Sequence, residues 1–342
     1  AYGGREASAI QNVIWGQEEA KFQTPPNIFG IGIGMCGPTI LTHGTDAQKK
    51  RWIPKLISGE DIWCQLFSEP AAGSDLAGLR TTAVKDGNDW IVNGQKIWTT
   101  GAHFCDWGVL VTRHDFDAQK HAGLTYFVVN MKAPGVEVKQ ITQINGGKNF
   151  NEVFFTDVRI PDGQRIGEVG EGWKVSITTL MNERAAIMGG GGTGGIGELM
   201  RFARTTQRNG RPAIEDPAVR QRLAEFYARS KGLQYTSYRI LTALSRGRLP
   251  GPEASIGKLV SASLVQEMAA FAIELQGVDG AVMEEGDGSL WQDTYLGIPG
   301  MRIAGGSDEI MRNIIAERVL GLPAEPRADK GVPFRKIPTG GG

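Results

Sequence analysis

The amino-acid sequence predicts an α+β chain of several domains, with a helical N-terminal part, a small β-domain and a C-terminal helical bundle. Three observations carry that expectation. Apolar residues keep helical spacing up to about residue 62, alternate with a period of two from Cys64 to about Glu168, and return to helical spacing from Gly172 to about Leu320. The expected boundaries are therefore 1–63, 64–168 and 169–322, with 323–342 left as a tail.

In the N-terminal part, IQNVIWGQEEAKF and the stretch Thr45 to Leu56 carry helix-spaced apolar positions, and Thr45-Asp46 reads as a helix start. Gly30, Gly32, Gly34 and Gly37 lie between them and read as close helix packing. The first apolar run of the β-domain ends at Ser68-Glu69-Pro70. The small residues Ala71 to Asp75 that follow allow backbone amides to approach an anionic or planar ligand. Asn93-Gly94, between the alternating WIV and KIW, predicts a tight type I′ hairpin turn. Trp98-Thr99-Thr100-Gly101 then places a large ring and two hydroxyls at a strand end. Further short β-rich runs lie at 109–112, 125–129, 136–141 and 152–160, and Pro161-Asp162-Gly163 closes the domain.

The C-terminal part offers four candidate helices, Trp173 to about Arg208, Pro217 to about Arg246, Pro252 to about Gln276, and Glu309 to Val319. Short connections between helices predict a bundle. The tail PAEPRADKGVPFRKIPTGGG is rich in Pro, Gly and charge, which predicts an extended segment without a core.

Composition narrows the function classes. The 342 residues are 41% apolar, enough for a large buried core in two to three domains. Lys+Arg and Asp+Glu both number 37, so there is no electrostatic case for nucleic acid or an anionic membrane. Cys36, Cys64 and Cys105 are too few and too scattered for a disulfide framework or a metal knuckle, which points to a reducing, cytoplasmic setting and no metal. No apolar run approaches the ~18 residues of a membrane span. The start AYGGREASA lacks an export pattern. Gly192-Thr193-Gly194-Gly195-Ile196-Gly197 fits the G-x-G-x-x-G dinucleotide fingerprint. That fingerprint needs a preceding strand, whereas Trp173 to Met188 has helical spacing, so the run reads as helix approached closely by a neighbour or a ligand.

The run S-E-P-x-x-G-S-D-x-x-G from Ser68, followed by K-x-W-T-T-G from Lys96, resembles the flavin-binding signature of the acyl-CoA dehydrogenase family. The resemblance covers nearly the whole chain. It implies a β-barrel-like middle domain, a C-terminal four-helix bundle and an N-terminus truncated relative to the family. It also implies FAD as cofactor, an acyl-CoA substrate oxidised to the trans-2-enoyl-CoA, an electron-transfer flavoprotein as acceptor, and a homo-oligomer, dimer or tetramer, formed through the bundle. An oxidase relative that passes electrons to oxygen stays open, as does a flavin-poor, non-catalytic subunit of a mixed assembly.

Residue roles follow from the same resemblance. Phe67 and Ser68 would lie along the pyrimidine edge of the isoalloxazine, Trp98 against its ring system with Thr99 alongside, Thr100 at N5, and Ser74 near the flavin pyrophosphate and the CoA arm. Many members carry the catalytic base in a Tyr-Glu-Gly-Thr-Ser segment, and the matching segment here is Ile303-Ala304-Gly305-Gly306-Ser307, where Ala304 takes no proton. A second pattern, of isovaleryl- and long-chain-type enzymes, places glutamate before arginine on a bundle helix. Met181-Asn182-Glu183-Arg184 matches it, so Glu183 is the expected base, with Arg184 holding charge near the CoA arm. The Ala304 amide and Gly305 remain candidates for the thioester, and Gly306, Ser307 and Asp308 for the cofactor. Two departures concern the adenine half: Thr206-Gln207-Arg208-Asn209-Gly210 replaces Arg-x-x-Phe-Gly, and Glu274 replaces a glutamine ahead of Gly277-Val278-Asp279-Gly280. Arg208 and Arg211 are the remaining pyrophosphate candidates. A base on a bundle helix is compatible with branched, cyclic or long acyl chains.

Overall fold

The computed structural model describes residues 2–19, 21–22, 25, 27–189, 194–246, 254–283, 289–327 and 329–337. They form two compact units, one of Ala1–Glu6, Thr24–Ala186 and Glu325–Gly342, the other of Ala7–Gln23 and Ile187–Ala324. The first helix, α1 (Ala9–Glu19), belongs to the second unit.

In the first unit a π-helical turn, Gly32–Cys36, runs into α2 (Gly37–His43), and α3 (Asp46–Ser58) follows. Thr45 starts α3 as expected. Its hydroxyl accepts from the Gln48 amide while the Gln48 side chain accepts from the Thr45 amide, a reciprocal cap. Gly32 and Gly37 serve close packing: a Cβ on Gly32 would lie 3.4 Å from that of Trp63, and one on Gly37 3.2 Å from the Gly32 carbonyl.

Eight strands follow: β1 (Trp63–Leu66), β2 (Thr82–Asp86), β3 (Asp89–Thr100), β4 (Trp107–Arg113), β5 (Leu124–Asn130), β6 (Val136–Ile141), β7 (Phe150–Pro161) and β8 (Arg165–Ile166). They make one sheet in the order β6-β7-β3-β2-β4-β5-β8, with β1 parallel to β4. Successive side chains of β5 enter different cores: Tyr126 and Val128 join Trp52, Trp63 and Phe67, whereas Phe127 and Val129 join Trp90, Val92 and Val153. A strand covered on both faces is apolar throughout, which explains the unbroken VLV of β4. The last helix of this unit, α4 (Gly172–Gly189), places Val175 in the first core.

The expected hairpin at Asn93-Gly94 is not there. β3 runs straight through it, and the turn that joins β2 to β3 is Gly87-Asn88, between the paired Asp86 and Asp89. Gly94 sits instead at a register shift against β7, with φ +151°, and a Cβ on it would lie 2.5–2.8 Å from Thr81. Glycine is there for a close backbone approach at a bulge and not for a turn. The tail also departs from expectation. Phe334 is buried, Pro333 bridges Gln119, and the segment packs on the first unit. One aromatic anchor outweighs the polar composition around it.

In the second unit α5 (Ile196–Thr205), a small hairpin of β9 (Gln207–Arg208) and β10 (Arg211–Pro212), α6 (Pro217–Ser245), α7 (Ala254–Gln276), α8 (Leu290–Met301) and α9 (Asp308–Arg318) follow in order. Its core is shared by α5, α6, α7 and α8 through Leu199, Phe226, Met268 and Trp291, while α9 lies on α7 and α1 on α6. The expected first helix is thus two: α4 ends at Gly189, and α5 starts after Gly194 and Gly195, whose amides both donate to the Glu198 carboxylate. Gly192 and Thr193 of the G-x-G-x-x-G run lie outside the described residues, as does Pro252. The element before the run is a helix, so the dinucleotide fingerprint lacks its strand. α8 was not foreseen, because Gly297, Pro299 and Gly300 disguise it. Ser255–Ala281 is, against expectation, long and apolar enough to cross a membrane by length and composition. Its Leu264, Met268, Ala269 and Ala272 are buried in the core of this unit, as a bundle helix requires.

Candidate active site

In the first unit β1 delivers Phe67 and Ser68 to the start of an exposed loop. Phe67 is buried edge-on to Tyr126, with ring centroids 5.9 Å apart. The Phe67 carbonyl accepts from Lys96 Nζ at 2.9 Å and the Ser68 carbonyl from the Ile97 amide at 2.9 Å, so the strand end is stitched to β3. Lys96 is fully buried and paired with Glu69 at 2.9 Å. The Glu69 carboxylate also accepts from the amides of Arg80 (2.6 Å) and Thr81 (2.9 Å). Burial pushes the Glu69 carboxyl up, but Lys96 and those amides outweigh it and hold it below the usual carboxylate range. Burial likewise lowers the Lys96 ammonium, with Glu69 opposing. One carboxylate thereby closes the loop from both ends, and Gly73, Ser74 and Asp75 stay exposed along it.

At the far end of β3 the strand breaks register between Lys96 and Thr99. Trp98 takes φ +61°, a conformation that costs a bulky residue roughly 1–3 kcal/mol. Its ring is 55% exposed and meets Phe150 edge-on at 5.8 Å. Trp98 is therefore no core aromatic. Thr99 is buried and its Oγ1 has no hydrogen-bond partner among the described residues, while Thr100 is exposed.

Glu183 lies half-buried on α4 and accepts from Gln65 Nε2 at 3.1 Å. Gln65 is on β1, two residues before Phe67, so carboxylate and loop hang from one strand. Sequence reasoning missed Gln65; the signal was a lone polar residue inside the apolar WCQL. One turn before Glu183 on the same helix face, Thr179 bonds to both Thr39 and Tyr126 at 2.9 Å, anchoring α4 to α2 and β5. The side chain of Arg184 lies outside the described residues.

The second unit carries the segment around Ala304. Lys258, buried on α7, donates to the carbonyls of Arg302 (3.1 Å) and Gly306. Gly305 and Gly306 have φ +66° and +97°, and Ser307 caps α9 by accepting from the Ile310 amide at 3.4 Å. Two of the candidates are engaged within the chain. The Ala304 amide donates to the Gly300 carbonyl at 2.9 Å. Asp308 is buried and bound by Arg302 at 2.7 Å with Lys258 at 3.8 Å, and its Oδ1 has no hydrogen-bond partner among the described residues. Arg208 and Arg211 face each other across the β9–β10 hairpin, both exposed, and Arg208 lies 3.6 Å from Asp216. Glu274 is exposed near the end of α7.

Residues 1–60, 64–158 and 170–320 match in turn the N-terminal, middle and C-terminal domains of acyl-CoA dehydrogenase. The chain belongs to the acyl-CoA dehydrogenase family. It is 39% identical over 341 residues to acyl-CoA dehydrogenase IpdE1 of Mycolicibacterium smegmatis, covering 95% of this chain and 83% of that protein. Among solved structures it resembles the Tcur3481-Tcur3483 steroid ACAD (27% identity, TM-score 0.84, 95% and 84% covered). It also resembles the ChsE4-ChsE5 complex from Mycobacterium tuberculosis (30% identity, TM-score 0.82, 95% and 85% covered). The protein is thus an acyl-CoA dehydrogenase, an oxidoreductase acting on CH–CH bonds with FAD as its cofactor.

The residues present fit that cofactor. An acyl-CoA dehydrogenase must hold a flat ring with polar edges and a pyrophosphate. This chain offers an exposed aromatic face at Trp98, an unpartnered buried hydroxyl at Thr99, an exposed one at Thr100, and a small-residue loop open at Gly73 and Ser74. A strained, exposed tryptophan has a cost that the fold alone does not repay.

Two outcomes follow. Glu69→Gln leaves Lys96 charged and unpaired, so stability at pH 7 should fall by about 3–5 kcal/mol. Because the folded-state pKa of Glu69 lies below its unfolded value, its contribution is complete above that value, about 4.3. It is lost as pH falls through the folded one, so the deficit seen in urea unfolding should shrink below roughly pH 4. A deficit independent of pH would show that the pair does not titrate as described. Trp98→Asn, which tolerates φ > 0, should leave the melting temperature unchanged or higher while bound FAD falls in the visible spectrum. A lower melting temperature with full flavin would return Trp98 to a structural role.

Proposed function

We propose that this acyl-CoA dehydrogenase oxidises a bulky, cyclic acyl-CoA thioester to its trans-2-enoyl-CoA, with Glu183 as the base that takes the α-proton. The observation that carries this reading is the hydrogen bond from Gln65 to Glu183, on a helix anchored by Tyr126, Thr179 and Thr39, combined with alanine at position 304. A thioester α-proton is weakly acidic, so its removal needs a carboxylate held in a fixed plane. Gln65 donates to Oε2 and sets that plane. Bound FAD supplies the acceptor for the β-hydride. Trp98 would offer it a ring face, Thr100 a hydroxyl for its N5 edge, and Phe67 and Ser68 contacts for its pyrimidine edge. The proton stays on Glu183 until the conjugated product leaves. A bulky cyclic acyl group is supported by the steroid named for one similar structure. An electron-transfer flavoprotein is the acceptor we assign, and the cytoplasm the compartment, in keeping with three free, buried cysteines.

A second reading concerns the assembly. Sequence alone favours a self-sufficient homo-oligomer, whereas two of the similar structures, Tcur3481-Tcur3483 and the ChsE4-ChsE5 complex, are named for two components. Arg208, one candidate for the pyrophosphate, is close to Asp216 of its own chain, which favours a paralogous partner that completes the adenine side.

Glu183→Gln should keep its flavin spectrum and lose kcat by at least ~10²–10⁴. Near-normal turnover would remove Glu183 from the base role. Native mass spectrometry of the purified chain should separate the assemblies. An oligomer with flavin in every subunit supports self-sufficiency, and a flavin-free one that gains flavin only on adding a paralogue supports the mixed form.

A further inference from the structure

The tail beyond residue 320 lies outside the matched family domains, yet its described part packs on the first unit at two places. At the first, Phe334 is 4% exposed and its ring lies 3.4 Å from the guanidinium carbon of Arg113. The main chain is fixed there by the Phe334 amide to the Ala118 carbonyl (2.9 Å) and the Arg335 amide to the Phe116 carbonyl (2.8 Å). Arg113, at the end of β4, is fully buried and donates to the carbonyls of Ala77 (2.6 Å), Leu79 (3.1 Å) and Lys120 (3.1 Å). Ala77 and Leu79 are the turn that ends the Ser74-Asp75 loop. A guanidinium buried in this way is costly, and burial lowers it to about 10. A ring stacked over it recovers part of that cost.

At the second place Lys120 joins the tail to the loop directly. Its ammonium lies 2.7 Å from Asp75 and 2.8 Å from Asp329, with only 9% of the side chain exposed. Asp329 is held in turn by Arg327 at 2.9 Å. Asp75 adjoins Ser74, and Ala77 and Leu79 follow it, so a tail carboxylate and a tail ring both hold the C-terminal end of the exposed stretch from Gly73 to Asp75.

We propose that the C-terminal tail, through Asp329 and Phe334, positions the Ser74-Asp75 loop to receive a pyrophosphate group, whether that of FAD or that of coenzyme A. This rests on the reading of Ser74 given above. Phe334 and Asp329 touch no ligand in this scheme. They act through Arg113 and Lys120, and the Ser74 hydroxyl, with the amides beside it, bears the effect.

The test uses the purified full chain, Asp329→Asn, Phe334→Ala, Phe334→Leu, and Ser74→Ala as the loop control. Each is titrated with FAD and, when flavin-loaded, with coenzyme A, alongside melting temperature and hydrogen exchange of residues 70–80. Asp329→Asn and Phe334→Ala should raise the Kd for one of the two ligands about tenfold and speed exchange in the loop, with Phe334→Leu, which keeps the apolar cover and loses the ring, falling between Phe334→Ala and wild type. The arm that weakens identifies the source of the pyrophosphate. If Ser74→Ala weakens a ligand while the tail variants lower only the melting temperature, or change nothing, the positioning role is overturned. If Ser74→Ala leaves both ligands untouched, the reading of the loop itself fails.

Discussion

A buried lysine–glutamate pair is the constraint on which this site depends. Lys96 and Glu69 are separated in sequence by a loop and a hairpin, and neither could enter the interior alone, because an isolated charge there is held only by a partner and further hydrogen bonds. The lysine takes a carbonyl from the end of β1, and the glutamate takes two amides from the start of β2. Both ends of the loop from Ser68 to Thr81 are thereby referred to one point on β3. Such a pair adds little net stability compared with well-packed apolar residues. What it adds is a single allowed register for three chain segments.

The same strand carries two irregularities of opposite purpose. At Gly94 the missing side chain lets Thr81 come close, and the bulge keeps a long strand paired on both sides. At Trp98 the side chain is the object, and the backbone bears an unfavourable conformation so that the ring stands clear of the sheet. A sheet thus delivers a fixed aromatic face where a flexible loop would not. Glu183, the proposed base, is held in a different way, on a helix whose preceding turn is tied through Thr179 to two other elements.

Much of this was legible in the sequence, and the failures have physical causes. Period-two and helical spacing gave the order of the elements, because each face must be buried or wet. The signature from Ser68 to Gly101 carried the family, because the residue types of that loop are local and visible in the sequence. Asn93-Gly94 misled, because turn propensity is local whereas β3 is held on both flanks by β2 and β7. α8 stayed hidden behind Gly297, Pro299 and Gly300, whose local cost is overridden by burial of Trp291 and Gln292. Gln65, Asp308 and the Ala304 amide could not be judged at all from spacing. Their roles are set by which distant group each one meets, and no periodicity reports that.

The cysteines give the fold an unplanned property. Cys36, Cys64 and Cys105 are all free and all buried, and burial raises the thiols of Cys36 and Cys64 well above the ordinary range. Only a thiolate reacts with an electrophile, and only when a reagent reaches it. The closed molecule is therefore silent toward alkylating agents, and each labelled chain records one excursion in which the sheet and its helices came apart. Three silent thiols in one unit make the protein its own clock for opening.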